Sequence, residues 1–237
     1  MSSTNYKIHP YLLFYCSLAF IICTVVGTIS HEFGHIIVAK TLGYETELHY
    51  GSMNWNETIR MEELKTLYLK NEAQLLNNQN TENHQGFNQL KRKIQRDNFI
   101  IGLGGPLQTW LSSIFGLFLL IYWKRSEPIR LTTWLGIFLT LFSLRFIFNL
   151  LQGAIIALLS RDGNYFGGDE LKIDNYLHLK EGSTGIVFAA VATIICFWLI
   201  FKFLPKHLRL TFILSGLVGS ALGYYLWFIL FGPLLLP

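Results

Sequence analysis

The chain has 237 residues, of which 51% are hydrophobic and only 14% are charged. A mean hydropathy of +0.38 and the gathering of charges into a few intervals exclude an ordinary water-soluble domain and predict a polytopic membrane protein. The net charge of +4 is ordinary for such a protein, and no basic patch interleaved with aromatic residues indicates a nucleic-acid partner.

The first apolar run, residues 11–42, predicts a transmembrane helix that is retained rather than removed as a signal peptide. No small-residue cleavage site follows the run, and its helical pattern continues until Gly43 ends it. Within this helix, Gly34 offers a small surface at which a neighbouring helix can approach closely.

A short polar motif, His31-Glu32-Phe33-Gly34-His35, lies near the end of this helix. Residues i and i+4 share one face of a helix, so His31 and His35 can bind one metal ion. Glu32 lies about 100° around the helix and can reach a water molecule at that metal. This is the H-E-x-x-H pattern of zinc peptidases, in which the glutamate is the general base.

The longest polar interval, residues 44–97, is predicted to be a loop region outside the membrane. Residues 44–50 alternate loosely and predict a short strand, and residues 56–76 follow a weak amphipathic helical period. Residues 77–88 have the composition of a loop. The basic cluster at residues 91–96, just before the next apolar run, is typical of a headgroup anchor.

Four further apolar runs predict transmembrane helices at residues 98–123, 131–159, 184–204 and 208–231. The last of them carries small residues at four-residue spacing, a stripe typical of helix packing. The predicted fold class is therefore all-α: one membrane-embedded domain with about five transmembrane helices, forming a multi-pass integral membrane protein in the lipid bilayer. A short β segment is expected in its polar region.

Glycines and one proline cluster near the start of the second predicted span: Gly102, Gly104, Gly105 and Pro106. Such a cluster predicts either a break in the helix or a point of close approach between helices. The third span holds Arg145 and Asn149, one turn apart on one face, and polar groups at membrane depth usually face a bundle or a cavity. Asn149 can serve a site, whereas snorkelling to the interface is an equal alternative for Arg145.

The acidic interval at residues 160–182 is the natural place for a third metal ligand. A catalytic zinc site takes three protein ligands and leaves its fourth position to water or substrate. Asp169 follows two glycines and begins a short amphipathic pattern, as an N-terminal helix residue would. Asp162, which is followed by a glycine, is the alternative.

Three features, in order along the chain, resemble the site-2 protease family of intramembrane zinc metalloproteases. The motif at residues 31–35 matches the family's active-site motif, and residues 105–107, Gly-Pro-Leu, are similar to its second-helix turn. The helix that carries Asn149 leads to an aspartate, as it does in the family. The resemblance covers about residues 20–175, and the last two predicted spans have no counterpart in it.

The family's third zinc ligand is an aspartate at the head of a sequence like D-G-G-R-I. Residues 169–173, Asp-Glu-Leu-Lys-Ile, share its aspartate, basic residue and isoleucine, whereas Asp162 and the residue after it share only the D-G. The resemblance therefore implies Asp169 as the third ligand, with Asp162 as the alternative. In two respects the chain departs from the family: Gln152 occupies the family's proline position, and the interval from Asn149 to either aspartate is longer.

The resemblance implies a zinc metalloendopeptidase that hydrolyses peptide bonds of membrane-associated or membrane-spanning proteins. In that reading His31, His35 and Asp169 bind zinc, and Glu32 is the general base. Asn149 is expected to bind the substrate backbone or the oxyanion. The sequence gives no indication of the oligomeric state.

A substrate helix must unwind before cleavage, because its carbonyls are engaged in helical hydrogen bonds. Residues 44–50 are expected to hold the opened substrate by strand addition. Three alternatives stay open for the same polar residues: a non-catalytic zinc-binding membrane protein, a transporter that uses these residues as an ion path, and a structural membrane protein in which they form an accidental buried polar cluster. Glu32 separates these classes, because hydrolysis needs it and zinc binding does not.

Overall fold

The computed structural model describes residues 7–76, 82–122, 130–159 and 167–237, and helices dominate this part of the chain. Five helical segments are long and apolar enough to cross a membrane: Pro10–Thr41, Gln85–Tyr122, Leu131–Leu159, Ser183–Phe203 and Lys206–Leu235. The predicted all-α class with five spans is thereby confirmed.

Along the chain, a small β-hairpin and one helix lie between the two longest helices, α1 (Pro10–Thr41) and α3 (Glu82–Tyr122). The elements are, in order, α1, β1 (Thr46–Leu48), β2 (Met53–Trp55), α2 (Thr58–Leu76), α3, α4 (Leu131–Thr140), α5 (Leu144–Leu159), α6 (Gly168–Tyr176), α7 (Ser183–Phe203), α8 (Lys206–Tyr224) and α9 (Gly232–Leu235). A 3₁₀ turn, Leu141–Ser143, joins α4 to α5, and a π-helical segment, Tyr225–Phe231, joins α8 to α9.

Helix α1 ends at the glycine that the sequence indicates. Gly43 has φ of +82°, in the left-handed region that glycine adopts without a steric penalty. The Gly43 amide donates to the Lys40 carbonyl and the Tyr44 amide donates to the Ala39 carbonyl, each at 3.0 Å. This pair of hydrogen bonds forms a Schellman motif, which satisfies the last carbonyls of the helix and turns the chain into β1.

The strand predicted within residues 44–50 is present as β1, which pairs antiparallel with β2. Leu48 lies opposite Met53, and these side chains pack with Ile36 of α1 and Ile101 of α3 in one apolar cluster. The hairpin is thus held against the half of α1 that carries the histidine motif.

The rest of the polar interval is more helical than predicted. Helix α2 is present, but α3 begins at Glu82 rather than at residue 98. The loop prediction for residues 77–88 is therefore wrong from residue 82 onward, while residues 77–81 lie outside the described part of the chain. The cause is composition: residues 82–97 are polar but include three Gln, two Lys and two Arg, which favour helix strongly enough to extend α3 beyond its apolar part.

The glycine–proline cluster of α3 is a point of close approach, not a break, because α3 continues through Pro106. A Cβ on Gly34 would lie 2.7 Å from the Cβ of Gln108, and one on Gly104 would lie 2.8 Å from the carbonyl carbon of Gly34. The backbones of α1 and α3 therefore touch where neither has a side chain.

The third predicted span, residues 131–159, is interrupted by the 3₁₀ turn. The Thr140 carbonyl accepts hydrogen bonds from the hydroxyls of Ser113 at 2.8 Å and Ser143 at 2.9 Å, which draws it out of the regular helical pattern. A new helix, α5, then begins one residue before Arg145.

The last two spans agree closely with their predicted positions, and α8 packs along α1. The small-residue stripe makes this possible: a Cβ on Gly219 would lie 2.7 Å from the Cβ of Phe20, and one on Gly223 would lie 2.7 Å from Oγ1 of Thr24. Phe20 also belongs to the largest apolar cluster, in which Phe212 of α8 is buried as well. Helix α1 thus lies between α3 on one side and α8 on the other.

Candidate metal centre

Two histidines and an aspartate come together although 138 residues separate His31 from Asp169. Oδ2 of Asp169 lies 3.0 Å from Nε2 of His31 and 3.0 Å from Nε2 of His35, and the two Nε2 atoms are 3.3 Å apart. We call these three residues the ligand group. Among the described residues this is the one cluster of His, Cys, Asp or Glu whose atoms could share a metal ion. Asp162 lies outside the described residues.

The spacing of the three atoms fits a tetrahedral metal. Zinc bound at about 2.0–2.1 Å from nitrogen or oxygen places neighbouring ligand atoms about 3.3–3.4 Å apart. The observed separations of 3.0, 3.0 and 3.3 Å are close to the edges of one face of such a tetrahedron. The donor set of two imidazoles and one carboxylate also occurs in catalytic zinc sites.

Each imidazole uses its other nitrogen to fix its orientation. Nδ1 of His31 lies 2.9 Å from Oγ1 of Thr109, and Nδ1 of His35 lies 2.6 Å from the carbonyl oxygen of Ile101. A carbonyl only accepts, so Nδ1 of His35 donates to it. Both partners lie on α3, which therefore supplies the outer support that metal-binding histidines require.

Gly105 of α3 leaves open the space beside the two ligand nitrogens. A Cβ at this position would overlap Nε2 of both His31 and His35. The close contact of α1 with α3 is thus possible only with glycine here, and any side chain would displace the imidazoles.

Asp169 lies in the first turn of α6, directly after Gly168, whose φ of +78° turns the chain into the helix. Burial alone would raise the pKa of Asp169, but hydrogen bonds and charge interactions with the two histidines hold it well below its usual range. Nζ of Lys172 lies 3.4 Å from the other carboxylate oxygen, Oδ1. The carboxylate is therefore ionised, as a metal ligand must be.

Glu32 lies beside the ligand group without belonging to it. Its side chain is buried, and Oε1 lies 3.5 Å from Nη2 of Arg145. Arg145 does not snorkel to the membrane interface but reaches inward to this carboxylate. Sequence reasoning left the role of Arg145 open, because a helical period shows which face a residue is on and not what that face meets.

Asn149 lies near the site, and its amide is already engaged. Nδ2 donates to Oε1 of Glu170 at 3.1 Å. Burial raises the pKa of Glu170, while its backbone amide and the Asn149 amide oppose that rise. The sequence analysis did not single out Glu170, although its position directly after Asp169 mirrors that of Glu32 after His31.

A cavity of about 350 Å³ adjoins the ligand group between α1, α5 and α8. Its polar lining includes Thr28, Thr109, Arg145, Asn149, Gln152 and Ser220, and Gly51 of the hairpin turn also borders it. Thr109 of this lining contacts Nδ1 of His31, and none of the three ligand-group residues lines the cavity itself.

In chemical terms, the site combines three ionisable ligand atoms with a separate carboxylate that can act as a base. His31 and His35 are buried among apolar helices, where unpaired polar groups are costly and usually serve a function, and Asp169 is half-buried beside them. No protein-family model, no curated protein and no solved structure matches this chain.

Proposed function

We propose that the chain is a multi-pass integral membrane protein and an intramembrane zinc metalloendopeptidase acting on membrane-associated or membrane-spanning proteins. The observation that carries the proposal is the convergence of His31, His35 and Asp169, with Glu32 beside them but outside their contacts. A purely structural cluster has no need of this division between three ligand atoms and one separate base.

Zinc bound to the ligand group would polarise the scissile carbonyl and lower the pKa of a water molecule to about 7. Glu32 would take a proton from the attacking water and pass it to the leaving amine nitrogen. A bond forms between the water oxygen and the carbonyl carbon, and the carbon–nitrogen bond breaks. The hydrogen bonds with the Thr109 hydroxyl and the Ile101 carbonyl keep the imidazoles oriented throughout.

The hairpin offers an edge for an extended substrate. The His49 amide donates to the Ser52 carbonyl and the Asn56 amide donates to the Glu45 carbonyl. The odd-numbered residues in and beside β1 therefore direct their backbone amide and carbonyl groups toward β2. Thr46 and Leu48 therefore direct their backbone groups to the outer edge. An unwound substrate can add to this edge as a further strand.

The experiment that tests the proposal compares the wild type with Glu32→Gln in detergent or vesicles, using a membrane-spanning substrate. We expect Glu32→Gln to keep about one zinc per chain and to lose cleavage by about 10²–10⁴-fold, because it removes the base and no ligand. Glu63→Gln, the same exchange at an exposed position of α2, is the matched control and should cleave like the wild type.

Zinc retained together with cleavage equal to that of the wild type would refute the peptidase proposal. That result would favour the non-catalytic zinc-binding protein or the transporter, which need the ligand group but not a base.

A further inference from the structure

We propose that Arg145 is a catalytic residue whose guanidinium stabilises the negative charge that develops on the scissile carbonyl oxygen. This inference rests on the proposed peptidase function and assigns a role within the same site.

Arg145 forms an ion pair with the proposed base. Its Nη2 lies 3.5 Å from Oε1 of Glu32, and its side chain is 26% exposed. An ion pair in which Arg is fully engaged is usually bidentate with distances of about 2.7–2.9 Å. The longer, single contact shows that Glu32 does not occupy the whole guanidinium.

The guanidinium also has a donor without a partner. Nε of Arg145 is buried and makes no hydrogen bond to any described residue. A guanidinium carries five N–H donors, and a buried donor left unpaired is unfavourable. An acceptor that enters the site with the substrate would satisfy it.

The position of Arg145 fits that acceptor. Arg145 and Thr109 line the same cavity, and Thr109 contacts His31 of the ligand group. A substrate carbonyl that enters from this cavity and lies beside Glu32 would meet the guanidinium that contacts Glu32. In a space of low dielectric constant a fixed positive charge stabilises a developing anion far more than it does in water.

Asn149 is a poorer candidate for this role, although it lies on the same face of α5. Its amide already donates to Glu170 at 3.1 Å. Arg145 and Asn149 thus divide their contacts: Asn149 holds the carboxylate that follows Asp169, and Arg145 stands beside the carboxylate that follows His31.

In the proposed step Arg145 donates a hydrogen bond but transfers no proton. As the water oxygen bonds to the carbonyl carbon, the π electron pair of the carbonyl moves to its oxygen, which accepts a hydrogen bond from Arg145. Glu32 takes the proton of the water. When the carbonyl re-forms, the carbon–nitrogen bond breaks, and the amine leaves with the proton from Glu32.

The test compares Arg145→Gln and Arg145→Lys with Arg130→Gln, which removes the same charge from the exposed start of the same span. We expect kcat of Arg145→Gln to fall by about 10²–10³-fold with little change in KM, as for loss of an oxyanion donor. Arg145→Lys should recover part of kcat because it keeps the charge. In a further variant, Arg145→Ala, guanidinium ion added to the assay should partly restore kcat. Arg130→Gln should behave like the wild type.

Two readouts besides activity separate this role from a structural one. Zinc content per chain, and substrate affinity measured in the Glu32→Gln background, should both be unchanged by Arg145→Gln. A kcat for Arg145→Gln equal to that of Arg130→Gln would overturn the inference, and so would a loss of kcat matched by an equal loss of zinc.

The same assay distinguishes failure of this inference from failure of the proposed function. If Glu32→Gln cleaves like the wild type, the peptidase proposal itself is wrong. If Glu32→Gln is inactive while Arg145→Gln retains full kcat, only the role of Arg145 is refuted.

Discussion

The two imidazoles of the ligand group are each held by a bond from the nitrogen that faces away from Asp169. His31 contacts Thr109 and His35 contacts the Ile101 carbonyl, and both of these partners lie on α3. Such outer contacts fix the ring orientation and the tautomer of a metal ligand. The precision of the site therefore depends on residues that have no ligand atom of their own.

Thr109→Val tests this dependence, because it removes the hydroxyl while keeping the shape of a buried side chain. We expect zinc affinity to fall by about 10–100-fold, since Nδ1 of His31 loses its partner. Competition with a chelator of known affinity measures the effect. Thr133→Val, the same exchange at a buried position of α4, is the control. Equal zinc affinity in both variants would show that Thr109 does not support the ligand.

Gly105→Ala tests the open space beside the ligand nitrogens. The added methyl group would overlap Nε2 of both histidines, so we expect loss of stoichiometric zinc and of cleavage together. Gly86→Ala in the same helix is the control, because a Cβ there meets nothing within 4 Å. Zinc content per chain decides the matter: normal binding by Gly105→Ala would contradict the described packing of α3 on α1.

At the scale of elements, the contact of α1 with α3 assembles most of the site. The sequence predicted α1, its end at Gly43 and the small surface of Gly34, because hydropathy and glycine chemistry are local signals. It did not decide between a break and a close approach at Gly104 and Gly105, because that depends on which helix lies opposite. The structure places the motif of α1 there.

Two element boundaries escaped prediction for different reasons. The first part of α3 is polar, so hydropathy marked it as a loop although its residues favour helix. The 3₁₀ turn before α5 depends on hydroxyl contacts to the Thr140 carbonyl, one of them from Ser113 on another helix. Such a contact between distant parts of the chain leaves no periodic signal in the sequence of either part.

Thr46→Pro tests the outer edge of β1. The Thr46 amide faces away from β2, so proline there removes an outward donor without breaking a bond of the hairpin. If an extended substrate adds to this edge, its affinity in the Glu32→Gln background should fall by about tenfold, the effect of one hydrogen bond. Zinc content should be unchanged. Unaltered substrate affinity would exclude strand addition at this edge.

At the scale of the whole molecule, the last helix completes the surroundings of the site. The Trp227 indole donates to the Tyr50 carbonyl at 2.8 Å, and the Tyr50 amide donates to the Leu236 carbonyl at 2.9 Å. The segment after α8 therefore anchors the turn of the hairpin, while the glycines of α8 let it pack on α1. Hydropathy predicted the number of spans, but only the packed molecule shows that the first and the last are neighbours.

The residue that meets the two histidines shows the same limit of sequence reasoning. The histidine motif required a further ligand, and the acidic interval was the natural source, but residue patterns alone left Asp162 and Asp169 as alternatives. Folding brings Asp169 to 3.0 Å from both imidazoles, through the glycine turn at Gly168 and the position of α6 against α3. The resemblance had favoured the same residue.

The most direct test of the central claim is X-ray diffraction from purified protein at the zinc absorption edge, together with metal content per chain. We predict one zinc per chain and a single strong anomalous peak within bonding distance of His31, His35 and Asp169. A chain without stoichiometric zinc, or a peak that lies away from these three residues, would contradict the account.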